Sequence, residues 1–232
     1  MGPDRLQWRR LTGKTRSMKD IAIYGAGGFG REVACLINII NKENPSWNLI
    51  GFFDDDPELS GENISHYGQC LGGIKDLNAY NKEISIVVAI GTPSIIKNIV
   101  EKVNNPHVSY PNLIHPSIDY SDFESFKIGK GNIIQAHCTM SCDVTLGDFN
   151  MLNGSVVLGH DVKVGSFNAI MPAVRVSGEV TIGDENFFGV GSIVLQQLKI
   201  GNKTRLSAGS VLVTKPKEGQ LYIGNPARMF KF

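Results

Sequence analysis

Apolar residues recur at every sixth position from Ile128 to Leu212: Ile128, Ile134, Met140, Leu146, Leu152, Leu158, Val164, Ile170, Val176, Ile182, Phe188, Val194, Ile200, Leu206 and Leu212. An α-helix repeats its apolar face about every 3.6 residues and a strand every two, so a strict period of six predicts short strands joined by corners in a repeating solenoid. The hexads group in threes, because Ile128-Gly129, Leu146-Gly147, Val164-Gly165, Ile182-Gly183 and Ile200-Gly201 recur every eighteen residues. Eighteen residues therefore make one triangular coil. The fourth residue after an anchor tends to be small or β-branched, as at Val144, Val156, Val162, Val174, Val180 and Ser192, which suits a tight corner. Glycines at the turns are expected to supply backbone geometry that other residues resist. The pattern predicts a left-handed parallel β-helix, an exception to the right-handed crossover rule.

The N-terminal half carries a different rhythm. A short apolar strand, Ile21 to Tyr24, runs into Gly25-Ala26-Gly27-Gly28-Phe29-Gly30 and then a helical pattern to about Ile40. Gly25, Gly27 and Gly30 satisfy GxGxxG between strand and helix, where a bare backbone can approach a pyrophosphate at a helix N-terminus. The next strand, Leu49 to Phe53, ends in Asp54-Asp55-Asp56 before Pro57. These carboxylates either contact a ribose or base edge or merely stop the strand, and the glycine loop favours ligand contact. Ile84 to Ile90 reads as a buried parallel strand, followed by Gly91 and a helix with Thr92 as N-cap and Pro93 at its first position. Residues 18–110 are thus expected to form a small Rossmann-like βαβαβ domain, about half a dinucleotide fold and suited to a mononucleotide-type ligand. The solenoid domain with its C-terminal cap takes residues 111–232, and residues 1–17, basic but without an apolar core, read as a leader or tag.

Composition narrows the partners. With 23 basic and 22 acidic residues in 232 the net charge is +1, which gives no global reason to expect nucleic acid or anionic membrane. No run reaches the roughly eighteen apolar residues of a membrane span. Cys35, Cys70, Cys138 and Cys142 form no CxxC pair and are expected to be reduced thiols of a cytoplasmic protein.

Chemistry in such a solenoid must come from residues that break the small-and-apolar rule. His160, in Leu158-Gly159-His160-Asp161-Val162, does so. Residues eighteen apart stack at roughly 4.8 Å, placing Cys142 below His160 and Gly178 above. Histidine is a suitable general base near neutral pH, and Asp161 can orient the ring and raise its basicity. Gly178 offers a backbone N–H to an oxyanion. A surface His-Asp pair explains the same pattern equally well. His137, Cys138 and Cys142 do not have the spacing of a zinc site, and no metal is expected. His115, before Pro116, reads as structural for want of a partner.

Gly25–Val33 with Asp54-Asp55, Val88-Ala89-Ile90-Gly91, Leu113-Ile114-His115-Pro116, Gly159-His160-Asp161 and Gly224-Asn225-Pro226-Ala227 together resemble the NeuD/PglD-type sugar acyltransferases of the hexapeptide-repeat superfamily. The resemblance covers essentially residues 18–232. It implies a homotrimer with active sites between subunits, acetyl-CoA as co-substrate, and a nucleotide-linked amino sugar, often acetylated at the 4-amino group of a 4-amino-4,6-dideoxyhexose during surface-glycan assembly. His160 would be the base with Asp161 behind it, and Asn153 matches a position close to the histidine. Gly178 would bind the thioester oxygen, and Val190 and Ala208 would line the acetyl-CoA channel. Gly27, Gly28, Phe29, Asp54, Asp55 and Gly91 match the nucleotide-sugar site. Two positions depart from many relatives: Phe29 and Ala169 each replace a histidine, the latter one placed against acetyl-CoA. The implied reaction is direct acetyl transfer to the amine. A Cys142 acyl-enzyme, O-acetylation of sialic acid or a related sugar, and a non-catalytic nucleotide-sugar scaffold are the alternatives.

Overall fold

The computed structural model describes residues 17–231; the stretch set aside as a leader lies, but for Ser17, outside the described residues. The first unit runs β1 (Lys19–Tyr24), α1 (Gly28–Glu43), β2 (Trp47–Phe53), α2 (Ile74–Ala79), β3 (Ile84–Val88), α3 (Pro93–Lys102) and β4 (Val108–Ser109). Its sheet has the order β2-β1-β3-β4 with every pair parallel. Alternation along β1 explains the two layers that cover it. Ile21 and Ile23 meet Val33, Leu36 and Ile37 of α1 in one cluster, whereas Ala22 and Tyr24 join Ile96 and Ile99 of α3 in another. Thr92 takes the N-cap position before Pro93, but its hydroxyl makes no capping bond. The excursion between β2 and β3, bridged at Phe52–Cys70 and Asn63–Gln69, and the short α2 inside it carry no clear hydrophobic period in the sequence.

From Leu113 onward the chain winds as a left-handed parallel β-helix of about six turns. Each coil contributes a two-residue strand to each of three sheets. The anchors stack inside as one continuous core, with Ile134 through Leu212 buried and Ile128 packed at its edge. Coil-to-coil partners are eighteen apart, as in Thr145 with Lys163 and Leu152 with Ile170. The first coil differs: Leu113 pairs with Ile133 and Asp119 with Thr139, a spacing of twenty. Two additional residues between Tyr120 and Lys127 hide this coil from a search for hexads.

The corners correct one expectation. The left-handed turn positions recur every six residues but are mostly not glycine: His137, Asp143, Phe149, Ser155, Asp161, Phe167, Ala173, Glu179 and Glu185 all have φ between 53° and 63°. Hydrogen bonds from these residues to the coil below, such as Asp161 N–H to Cys142 C=O at 3.0 Å and Glu179 N–H to His160 C=O at 2.8 Å, offset the steric cost. The glycines after the anchors serve close approach instead. A Cβ on Gly147 would fall 2.6 Å from the Gly165 carbonyl oxygen of the next coil.

Asn132, Asn150, Asn168 and Asn186 form a buried ladder along one corner. Each side-chain oxygen accepts the backbone N–H of the residue eighteen further on, from Asn150 N–H at 2.8 Å up to Thr204 N–H at 2.8 Å. The next corner position outside this ladder carries the join to the α/β unit. Phe149 and Phe167 stack at 5.3 Å, Tyr110 meets Phe149 edge-on at 5.0 Å, and Lys97 of α3 reaches Glu185 at 2.8 Å. On the adjoining sheet, Leu113 and Ile133 belong to the α1 cluster. At the far end, Leu221–Ile223 pairs parallel to Arg205–Leu206, and Arg228–Met229 returns antiparallel over it.

Candidate active site

His160 projects from the corner that follows Val157-Leu158. Its Nδ1 lies 2.9 Å from Asp161 Oδ2, and both side chains are about half exposed, at 53% and 55%. The left-handed backbone at Asp161, with φ 58°, turns that carboxylate back beside the ring of its own neighbour. On the coil above, Gly178 makes room for the imidazole. A Cβ there would meet Nε2 and lie 2.6 Å from Cε1. The ring therefore leans on Gly178, away from the coil of Cys142. The coil bonds on either side of Gly178 run from Ser177 N–H to Val194 C=O and from Glu179 N–H to His160 C=O, so the ladder steps past the Gly178 amide. The Cys142 thiol has Ser141 Oγ as its neighbour at 4.0 Å.

Asn153 sits on a different corner of the same coil, after Met151-Leu152, with its amide directed to Met171 Sδ at 3.7 Å. One chain does not bring Asn153 to His160. Val190 and Ala208 lie one above the other on that second corner, both exposed. Ala169 is completely buried and presents no surface.

The glycine loop forms a separate cluster. Gly25 has φ 111° and a Cβ would stand 2.7 Å from the Ala89 carbonyl oxygen; one on Gly30 would run into the Gly25 carbonyl. Nothing crowds Gly27 or Gly91, and Gly28 has only the Arg31 guanidinium at 4.0 Å. The crest of the loop is thus open backbone at the start of α1. Phe29 packs half-buried on the α1 cluster. Both Asp54 oxygens are occupied by the chain: Oδ2 accepts Ala26 N–H at 2.8 Å and Oδ1 accepts Asp56 N–H at 3.0 Å. Asp55 Oδ1 accepts Tyr24 O–H at 2.8 Å and Ile74 N–H at 3.0 Å. Burial, then this bond, raises the Tyr24 phenol far above its usual range. These carboxylates hold the loop in shape, a role that a strand ending in three aspartates does not disclose.

His115 corrects its reading as partnerless. Its Nδ1 accepts Ser117 N–H at 3.0 Å and lies 2.8 Å from Ser117 Oγ, which in turn accepts His137 N–H at 2.9 Å. The two imidazole rings are 6.4 Å apart. Cys138 is buried with its thiol on Asn153 C=O at 3.1 Å, and burial pushes it up to about 11. No group of three His, Cys, Asp or Glu with metal-holding geometry occurs among the described residues, and no described helix is long and apolar enough to cross a membrane.

Comparison with known proteins bears on both halves. Residues 20–103 match the PglD N-terminal domain. UDP-N-acetylbacillosamine N-acetyltransferase of Bacillus subtilis is 28% identical over 119 residues, 51% of this chain and 52% of that protein, so the match spans about half the relative's length. The acetyltransferase domain of PglB from Neisseria gonorrhoeae superposes with a TM-score of 0.82 and 28% identity over 91% of this chain and all of that one. A second structure of that domain, in complex with acetyl coenzyme A, matches equally. PerB from Caulobacter crescentus, solved with CoA and GDP-perosamine, shares the fold at a TM-score of 0.77 and 24% identity over 93% and 99% of the two chains. Residues 20–103 thus match a PglD-type N-terminal domain, and over nearly its whole length the chain shares with the PglB acetyltransferase domain the arrangement of an α/β unit followed by a β-helix.

Proposed function

We propose that the protein is an acetyl-CoA-dependent N-acetyltransferase acting on the 4-amino group of a nucleotide-activated 4-amino-4,6-dideoxyhexose. The observation that carries the proposal is the His160 constellation: an imidazole oriented by Asp161 at 2.9 Å and seated on Gly178, in a chain whose relatives are named as acetyltransferases. His160 Nε2 takes the proton from the amine as nitrogen attacks the thioester carbonyl, and the Asp161 carboxylate offsets the charge the ring acquires. The Gly178 N–H donates to the oxyanion. Collapse breaks the C–S bond, and the proton on His160 passes to the departing thiolate. An amine is a competent nucleophile once deprotonated, so one base and one oxyanion donor suffice without an acyl-enzyme. The lean of the ring away from Cys142 favours this direct route.

The nucleotide is placed over Gly27, Gly28, Phe29 and Gly91, with Asp54 and Asp55 shaping the loop. Val190 and Ala208 line the channel for the pantetheine arm. Because Asn153 and His160 occupy different corners, a site that uses both requires neighbouring chains, which supports a homotrimer with active sites between subunits. The test is thiol release from acetyl-CoA against UDP-, dTDP- and GDP-linked 4-amino sugars, CMP-sialic acid and free sialic acid. Turnover on one amino sugar, lowered by about 10²–10⁴ in His160→Ala, is the expected result. Reaction with sialic acid alone would establish O-acetylation instead, and binding without turnover would leave a scaffold.

A further inference from the structure

Beyond Leu113, Ile133 and Met151, the outward row of the second solenoid sheet continues to His115, Gln135 and Asn153. Strand geometry persists there, because His115, Gln135 and Asn153 donate their N–H groups to Ile134, Leu152 and Ile170 at 2.9 Å each. Side chains two apart on a strand share a face. Leu113 and Ile133 themselves lie in the apolar cluster that includes Ala26 of the glycine loop, with Phe29 packed against it. His115 and Gln135 therefore stand where the β-helix surface meets the loop, in the direction of Asn153. We propose that His115 and Gln135 form the subsite for the sugar ring, donating hydrogen bonds to an uncharged oxygen substituent, a hydroxyl or an acetamido carbonyl. The assignment rests on the nucleotide-sugar reading above and specifies which residues select the hexose.

Gln135 is the stronger of the two observations. Its Nε2 is buried with no hydrogen-bond partner among the described residues, although buried amides are almost always paired. An oxygen brought by a ligand would complete it. His115 is the second. Its Nδ1 accepts the Ser117 N–H, so the ring proton of the neutral form resides on Nε2 and the outer nitrogen is a donor. Burial, then the neighbouring His137, lowers the proton affinity of His115. The ring thus stays uncharged at neutral pH, and an uncharged donor suits a substrate whose own amine carries a positive charge.

Calorimetric binding of UDP-N-acetylbacillosamine and of GDP-perosamine, each against its free nucleoside diphosphate, tests the assignment without relying on acetyl transfer. In the native protein one sugar nucleotide is expected to bind more tightly than its diphosphate. Gln135→Leu is expected to remove about tenfold of that preference, the weight of one hydrogen bond in a half-buried site, while diphosphate affinity stays constant and reports an intact fold. His115→Phe is expected to act in the same sense and His115→Gln, which keeps a donor, to retain most of the preference. An unchanged preference in Gln135→Leu would overturn the subsite. So would an equal loss for sugar nucleotide and diphosphate, or a native protein that binds neither sugar nucleotide better than its diphosphate. The acetyltransferase reading fails separately, through absence of turnover in the native protein.

Discussion

His160 is held by one group that is present and one that is missing. Asp161 fixes the ring through Nδ1, and Gly178 leaves the space that the ring fills. Gly178→Ala is accordingly expected to displace the imidazole and cut kcat at least about a hundredfold. The same variant should leave the melting temperature nearly unchanged, since the half-exposed imidazole can swing outward and Gly178 has no positive φ to lose. Asp161→Asn, which keeps a hydrogen-bond partner without the charge, is expected to lower kcat by about 10–100-fold with little effect on either KM. Thiol chemistry supplies an independent check on the packing. At pH 8 a soluble thiol reagent should label exposed Cys35 promptly and reach Cys138 only after denaturation, because Cys138 is buried and lifted to about 11. The stacking of Gly178 on His160 was legible in the sequence because an eighteen-residue step is a vertical step in space. The duties of Asp54 and Asp55 were not, since an acidic cluster after a strand looks the same whether its oxygens face a ligand or the chain's own N–H groups. Nor was the His115–Ser117–His137 linkage, which joins residues twenty apart across the first coil, where the period of eighteen does not yet hold.

At the scale of elements, the asparagine ladder does for one corner what apolar anchors do for the faces. Asn168 receives the backbone and side-chain N–H of Asn186 at 2.9 and 3.0 Å and gives its own amide to Asn150 at 2.9 Å. Asn168→Ala removes all three at a completely buried position. Several orphaned groups at about 1–3 kcal/mol each predict a loss of roughly 3 kcal/mol or more, a fall of at least about 6–12 °C in Tm for a chain of this size. Thermal unfolding monitored by circular dichroism checks it; a change under 1 °C would show that water replaces the ladder without cost. The signal was present as four asparagines at steps of eighteen. Apolar periodicity alone passes over it, because it asks what is inside and not how polar groups there are satisfied. The glycines illustrate the opposite error: turn propensity assigns them to positive φ, whereas coil-to-coil proximity is what excludes a side chain at Gly147 or Gly165.

For the whole molecule, the join between the α/β unit and the solenoid is aromatic at its centre and ionic at its edge. Glu185 is only 9% exposed and holds Lys97 at 2.8 Å, with Lys203 at 4.0 Å. Removing Lys97 strands a nearly buried carboxylate, so Lys97→Glu is expected to lower Tm and Lys97→Glu/Glu185→Lys to recover most of it. Differential scanning calorimetry of the native protein, Lys97→Glu, Glu185→Lys and the double exchange provides the comparison, and failure of the double exchange to recover would show that the pair is incidental. Neither half of this join was readable along the chain. Phe149 and Phe167 occupy corner positions that the hexad pattern treats as solvent-facing, and only the fold reveals that a second unit covers them. The eighteen-residue coil gives the protein something like a reading frame. Deleting six residues between Asp184 and Gly201 would keep every later apolar residue pointing inward, yet rotate all that follows by one face, so that Leu206 would inherit the place of Ile200 and Leu212 that of Leu206. Deleting eighteen would shorten the prism by one storey with every column intact. Length changes above the His160 coil are therefore tolerable only in whole storeys, and a natural relative with one coil more or fewer would be the same machine, while one with a third of a coil would not.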